Sequence, residues 1–136
     1  MTAEEYLSQQ DADRRPILSA IHSIILEEDR TVTPSVGPMM GKDMILYKER
    51  GYFKYGLSSV RSYMSMHLMP IYGGSPLHGK YVKLLPRAQF QKGCINFGEA
   101  ADVPTDILHR LFADCANVSI AKMLEKRDSA RKKRHA

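Results

Sequence analysis

Tryptophan is absent from this chain, cysteine occurs twice, and no apolar run approaches the roughly 18 residues that cross a bilayer. Each gap removes a class of function. Cys94 and Cys115 lie outside any CxxC pair and cannot by themselves build a Cys₄ or Cys₂His₂ zinc site. Cys115 falls on the apolar stripe of a helix and Cys94 starts a strand, so both read as reduced, buried thiols. No GxSxG elbow, Walker loop, GxGxxG or HExxH occurs, so an enzymatic reading has no positive support and no cofactor is expected. The glycines Gly37, Gly41, Gly73 and Gly74 lack the lysine and hydroxyl in register for cradling a phosphate. The start, Met1-Thr2-Ala3-Glu4-Glu5, is acidic rather than apolar, which predicts no signal peptide, no membrane association and a cytoplasmic address.

The net charge of +5 over 136 residues is concentrated at one end. Residues 122–136 carry seven basic groups against Glu125 and Asp128, which leaves residues 1–121 neutral. A neutral body disfavours nucleic acid as a partner, because a basic face should spread over a folded surface. The tail alone keeps weak nucleic-acid binding open, and its plainer reading is a solvated, fraying helix end. The expected organisation is one α+β domain over 1–121 and a basic C-terminal tail over 122–136.

Helical spacing is strongest over Asp13–Glu28, where Ile17, Leu18, Ile21, Ile24 and Ile25 share a face, and after Pro104, where Ile107, Leu108, Leu111, Phe112 and Cys115 do. A short helix over 4–10 and another over 76–85, opened by Ser75-Pro76, complete the helical set before the tail. Pro34, Gly37, Pro38 and Gly41 make 30–42 read as loop with short edge pieces. Strand-like runs occupy 44–57, turning at Arg50-Gly51, then 63–69, closed by Pro70 and Gly73-Gly74, then 93–98. This order predicts an α+β fold rather than a parallel βαβ protein.

The strands alternate imperfectly, with apolar or aromatic residues on both faces, so the second face of the sheet should cover a helix, a partner or a ligand. Over 63–69, period two puts Met64, Met66 and Leu68 on a core face and Tyr63, Ser65, His67 and Met69 on the other. Phenol, hydroxyl, imidazole and thioether together suit an amphipathic ligand or a partner chain. Tyr63 and His67 are the leading candidates, Tyr47 and Asn96 extend the face if register allows, and Arg61 and Lys92 are rim contacts for an anionic group. A lone histidine flanked by apolar strand residues is also commonly structural. The leading expectation is therefore a non-enzymatic binding domain, a homodimer, with a small molecule or protein on its sheet. The carboxylates Glu4, Glu5, Asp11, Asp13, Glu27, Glu28 and Asp29 offer an alternative, a hard-cation site, against the reading of a solvated helical face.

The run Met69-Pro70-Ile71-Tyr72-Gly73-Gly74, the helix after it, Phe90-Gln91-Lys92-Gly93-Cys94-Ile95-Asn96-Phe97, and Asp102-Val103-Pro104 before the last helix together resemble the YdhG-like domains of unknown function. Val36-Gly37-Pro38-Met39 after the N-terminal helix is similar in order, and the resemblance spans residues 4–116. It implies a compact α+β fold with a curved, mostly antiparallel sheet of about four to six strands and helices packed on it. Some relatives are frataxin-like iron chaperones, which implies iron handling by acidic residues. No metal ligand transfers residue by residue.

Overall fold

The structure, a computed structural model, describes residues 1–72 and 75–135. Gly73-Gly74, expected to close a strand, lie outside the described residues. Among the described residues five α-helices accompany one sheet: α1 (Ala3–Ser8), α2 (Arg15–Glu28), α3 (Pro76–Leu84), α4 (Thr105–Ala116) and α5 (Ile120–His135). The strands are β1 (Val32–Met39), β2 (Lys42–Glu49), β3 (Tyr52–Ser59), β4 (Met64–Leu68), β5 (Gln89–Gln91) and β6 (Cys94–Phe97). All pairings are antiparallel, in the order β1-β2-β3-β4-β6-β5, and the sheet is open, so the expected α+β class holds.

Two tight hairpins start the sheet. Met40-Gly41 and Arg50-Gly51 each place both central residues at positive φ, the conformation of a two-residue turn whose twist matches its strands. The segment expected as loop over 30–42 is instead the full edge strand β1, paired with β2 from Val32 to Met39. Its prolines, Pro34 and Pro38, read as chain punctuation in the sequence. On an edge strand they remove only N–H groups that point to solvent, and they blunt that edge against further pairing. β5 is three residues long, too short to carry a period-two pattern in the sequence.

One face of the sheet carries the core. Tyr6 of α1, Leu18, Ile21 and Ile25 of α2, and Leu108, Leu111 and Phe112 of α4 pack on Tyr47, Tyr55, Leu57, Met66 and Phe97. The amphipathic stripes of α2 and α4 account for this layer, and Cys115 is fully buried in it as expected, its thiol pushed up to about 12 by burial. Tyr47 also belongs here. It was expected to extend the Tyr63 face, but it is wholly buried on the helix side, its hydroxyl 2.6 Å from His22 Nδ1 on α2. Register explains the correction: Tyr47 pairs with Tyr55, and Tyr55 with Leu68, a residue of the core face of β4.

A β-bulge between Tyr47 and Lys48 leaves Lys54 without a cross-strand partner. Strict alternation would turn Lys54 away from Tyr55; the extra residue lets both reach Asp29 at the end of α2. Lys54 Nζ lies 2.8 Å from Asp29 Oδ2, with both side chains fully buried. Tyr55 donates its hydroxyl to Oδ2 at 2.7 Å, and Thr31 donates its N–H and hydroxyl to Oδ1. Asp29, expected among surface carboxylates, is thus the centre of a buried polar knot. Burial alone raises its carboxyl pKa, and the Lys54 ammonium with the Thr31 and Tyr55 hydrogen bonds outweighs that, leaving it below the ordinary value.

α5 carries the basic tail as a helix docked against the β2–β3 hairpin. Glu49 accepts the Ser119 hydroxyl at 2.7 Å and the Ala121 N–H at 3.0 Å, which caps the first turn. Further along, Arg50 binds Glu125 and Tyr52 donates to Asp128. No helix among the described residues is long and apolar enough to cross a membrane.

Candidate functional site

The centre of the second sheet face is built by β3, β4 and β6. Antiparallel register sets Gly56 opposite His67, Ser58 opposite Ser65, Ser65 opposite Asn96, and His67 opposite Cys94. With Met66 and Ile95 in the core, the alternate positions Ser58, Ser65, His67, Cys94 and Asn96 share the opposite face. Met44 and Leu46 on β2 are buried on this side, outside the main cluster. Gly56 makes the close packing possible, since a Cβ there would stand 2.8 Å from Met44 Sδ.

A hollow of about 170 Å³ opens on this face, lined by Met40, Lys42, Tyr63, Ser65, His67, Gln91, Cys94 and Asn96. Lys42 belongs to β2, two strands away from β4 and three from β6. Its presence in the same hollow as Cys94 shows that the sheet curls so that the β1–β2 turn overhangs this face. No helix supplies a residue to the lining.

Polarity distinguishes this hollow. Ser65, His67 and Asn96 are each at least 94% buried, yet His67 Nε2, Asn96 Oδ1 and the neighbouring Ser58 hydroxyl have no hydrogen-bond partner. An unmet buried donor or acceptor costs about 1–3 kcal/mol, so such groups in a recess ask for a ligand or ordered water. His67 Nδ1 lies 2.9 Å from Cys94 Sγ. Burial, with the nearby Lys42 charge, holds the His67 imidazole below its ordinary pKa. Burial raises the Cys94 thiol and Lys42 opposes it in part, with a net rise. The resting pair is therefore a neutral thiol beside a neutral imidazole.

The structure brings Tyr63, His67 and Asn96 together in this hollow, whereas Tyr47 faces the core. Arg61 is exposed in the β3–β4 connection, where its carbonyl accepts from Arg14, and Lys92 is exposed at positive φ in the β5–β6 turn; neither lines the hollow. Met69 begins a 3-10 turn and leaves the strand's alternation. Met40, Lys42, Gln91 and Cys94 are the lining residues sequence reasoning missed. Cys94, expected as a core thiol, is only partly buried and faces His67.

A second cluster sits where α2 ends against α4. One ligand atom each from Glu27, Glu28 and His109 fall within 4.8 Å of one another, and His109 Nδ1 is 3.1 Å from Glu28 Oε1. Of the seven N-terminal carboxylates weighed as a cation site, Glu27 and Glu28 gain a histidine from another helix, and Asp29 is consumed by Lys54.

Comparison of the chain with protein-family models, curated proteins and solved structures gave no match. The resemblance to YdhG-like domains rests on the motifs quoted above.

Proposed function

We propose that this domain binds a small anionic molecule in the hollow on its second sheet face. The observation that carries the reading is the set of buried polar groups left without partners around the recess, His67 Nε2 and Asn96 Oδ1 above all. Size bounds the ligand. At about 30 Å³ per water, 170 Å³ accommodates roughly five or six non-hydrogen atoms, well below a drug-sized site. Charge selects its sign: Lys42 is the one cationic side chain in the lining, and the lining holds no carboxylate. A short carboxylic acid bearing a hydroxyl fits this set, its carboxylate toward Lys42 and its hydroxyl toward the Asn96 edge, where it can donate to Oδ1.

Two-dimensional amide NMR with acetate, glycolate and the neutral acetamide tests the reading. Glycolate and acetate are expected to shift residues 40–42, 63–67 and 91–96 saturably, acetamide to bind more weakly, and Lys42→Met to weaken glycolate about tenfold, the scale of a lost charged hydrogen bond. Shifts scattered over the surface, or equal response to acetamide, would refute it.

The Glu27–Glu28–His109 convergence favours a second reading, in which the α2–α4 junction takes up ferrous iron as cargo. Carboxylate oxygens with an imidazole nitrogen form a donor set that suits Fe²⁺. Anaerobic calorimetry with Fe²⁺ is expected to show one site that Glu28→Gln and His109→Ala each abolish. Absence of heat, or heat untouched by both substitutions, removes this reading.

A further inference from the structure

We propose that Cys94 is a nucleophile served by His67, and that it captures a small anionic electrophile covalently in the hollow beside Lys42. The inference rests on the proposed site and adds chemistry to it. Three independent features carry it. The thiol is partly exposed to the hollow, in contrast to Cys115, which is fully buried. Its sulfur sits 2.9 Å from His67 Nδ1, within reach for proton transfer. His67 lines the hollow and is 94% buried, with Nε2 buried and unpartnered, so packing holds the ring with Nδ1 on the thiol and one hydrogen-bonding position unmet.

The resting pair is neutral, so Cys94 is not a preformed thiolate. The reactive tautomer is the one with the ring's own proton on Nε2, in which Nδ1 accepts from the thiol. When Sγ forms its bond to an electrophilic carbon, the thiol proton passes to Nδ1 and the leaving group departs with the bonding electron pair. For an addition to an aldehyde the same proton goes on to the carbonyl oxygen, and nothing leaves. A thiol whose pKa is raised is the stronger nucleophile once deprotonated, so a base that removes the proton during attack gains most at such a site. Lys42 confers the charge preference, standing close enough to act electrostatically on both His67 and Cys94.

Iodoacetate and iodoacetamide, the anionic and neutral forms of one reagent, read the two halves separately. In each reaction the C–S bond forms, the C–I bond breaks and iodide leaves. Intact-mass kinetics on the folded protein, with peptide mapping, should show alkylation at Cys94 with Cys115 untouched. The iodoacetamide rate is expected to rise as His67 loses its proton, below the ordinary imidazole range, and then to level off. An unassisted thiol would keep climbing tenfold per pH unit past pH 9. His67→Gln should slow the reaction at pH 7 about a hundredfold and rejoin the wild-type rate at high pH, showing that the thiol stays reachable. If His67→Gln disturbs folding, the wild-type pH profile alone decides between base-assisted and simple thiolate chemistry.

Relative to free cysteine, the protein is expected to favour iodoacetate over iodoacetamide, and Lys42→Met should erase that preference. A rate that tracks the thiol alone, or a reagent preference equal to that of free cysteine, overturns the proposal. Glycolate binding with a rate indifferent to His67 removes this inference and leaves the proposed site standing. His67-dependent alkylation with no reagent preference and no glycolate binding removes the anion site itself.

Discussion

Lys54→Met is expected to lower the unfolding free energy by about 3–5 kcal/mol, the cost of leaving one member of a buried ion pair without its partner. Lys54 Nζ lies 2.8 Å from Asp29 Oδ2 with both side chains fully buried, so water cannot replace the lost charge. The hydrogen bonds from Tyr55 and Thr31 to Asp29 would remain, and they are neutral donors unable to compensate a full charge. Asp29→Asn on top of Lys54→Met should recover a large part of the loss, because the uncompensated carboxylate is then gone. Urea titrations of the wild type and the two variants measure this. A single-variant loss below about 1 kcal/mol would mean the pair is worth no more than an exposed one.

The same pair fixes a pH signature. In the wild type the Asp29 carboxyl is held below its unfolded value, so its contribution is complete above that value, about pH 4, and is lost as the pH falls through the folded pKa. Without Lys54 the largest of the interactions that lower it is gone and the folded carboxyl pKa rises, so acidification costs the variant less than the wild type. The stability gap between wild type and Lys54→Met should therefore shrink as the pH is lowered. His22 and His67, both held below the ordinary imidazole range by burial, add an earlier loss in the wild type that begins near pH 6.5.

Lys54 also marks where reading the sequence reaches its limit. Period two alone turns Lys54 and Tyr55 to opposite faces, and only the bulge at Tyr47/Lys48, invisible in local sequence, brings Lys54 inward. Register limits the candidate site in the same way. The alternation of Tyr63, Ser65 and His67 is a local property of one strand and could be assigned. That His67 faces Cys94 depends on a pairing across α3 and β5, which no local pattern encodes. Tyr47 shows the reverse failure: its alternation is clear, but the face it belongs to is fixed by β3–β4 register. Lys42 entered the hollow only through sheet curvature, a property of all six strands together. The helices were legible because a 3.6-residue stripe needs no distant partner.

Phe112 lies on such a stripe, and Phe112→Ala is expected to cost about 3–5 kcal/mol, the range for emptying a fully buried aromatic site. Its ring meets Tyr55 edge-on, with centroids 5.2 Å apart and planes at 89°, and Tyr55 in turn donates to Asp29. Removing Phe112 therefore opens a cavity and also releases the ring that helps anchor the polar knot. The two large effects should consequently not add. Phe112→Ala and Lys54→Met share Tyr55 as a neighbour, and a double-mutant cycle is expected to show a coupling of about 0.5–3 kcal/mol. Val82, an exposed position on α3, is the control: Val82→Ala should stay within about 0.5 kcal/mol of wild type and add independently to either substitution. Strict additivity of Phe112→Ala with Lys54→Met would show that Tyr55 is held by the sheet alone. The apolar core and the buried ion pair would then be separate sources of stability rather than one packed unit.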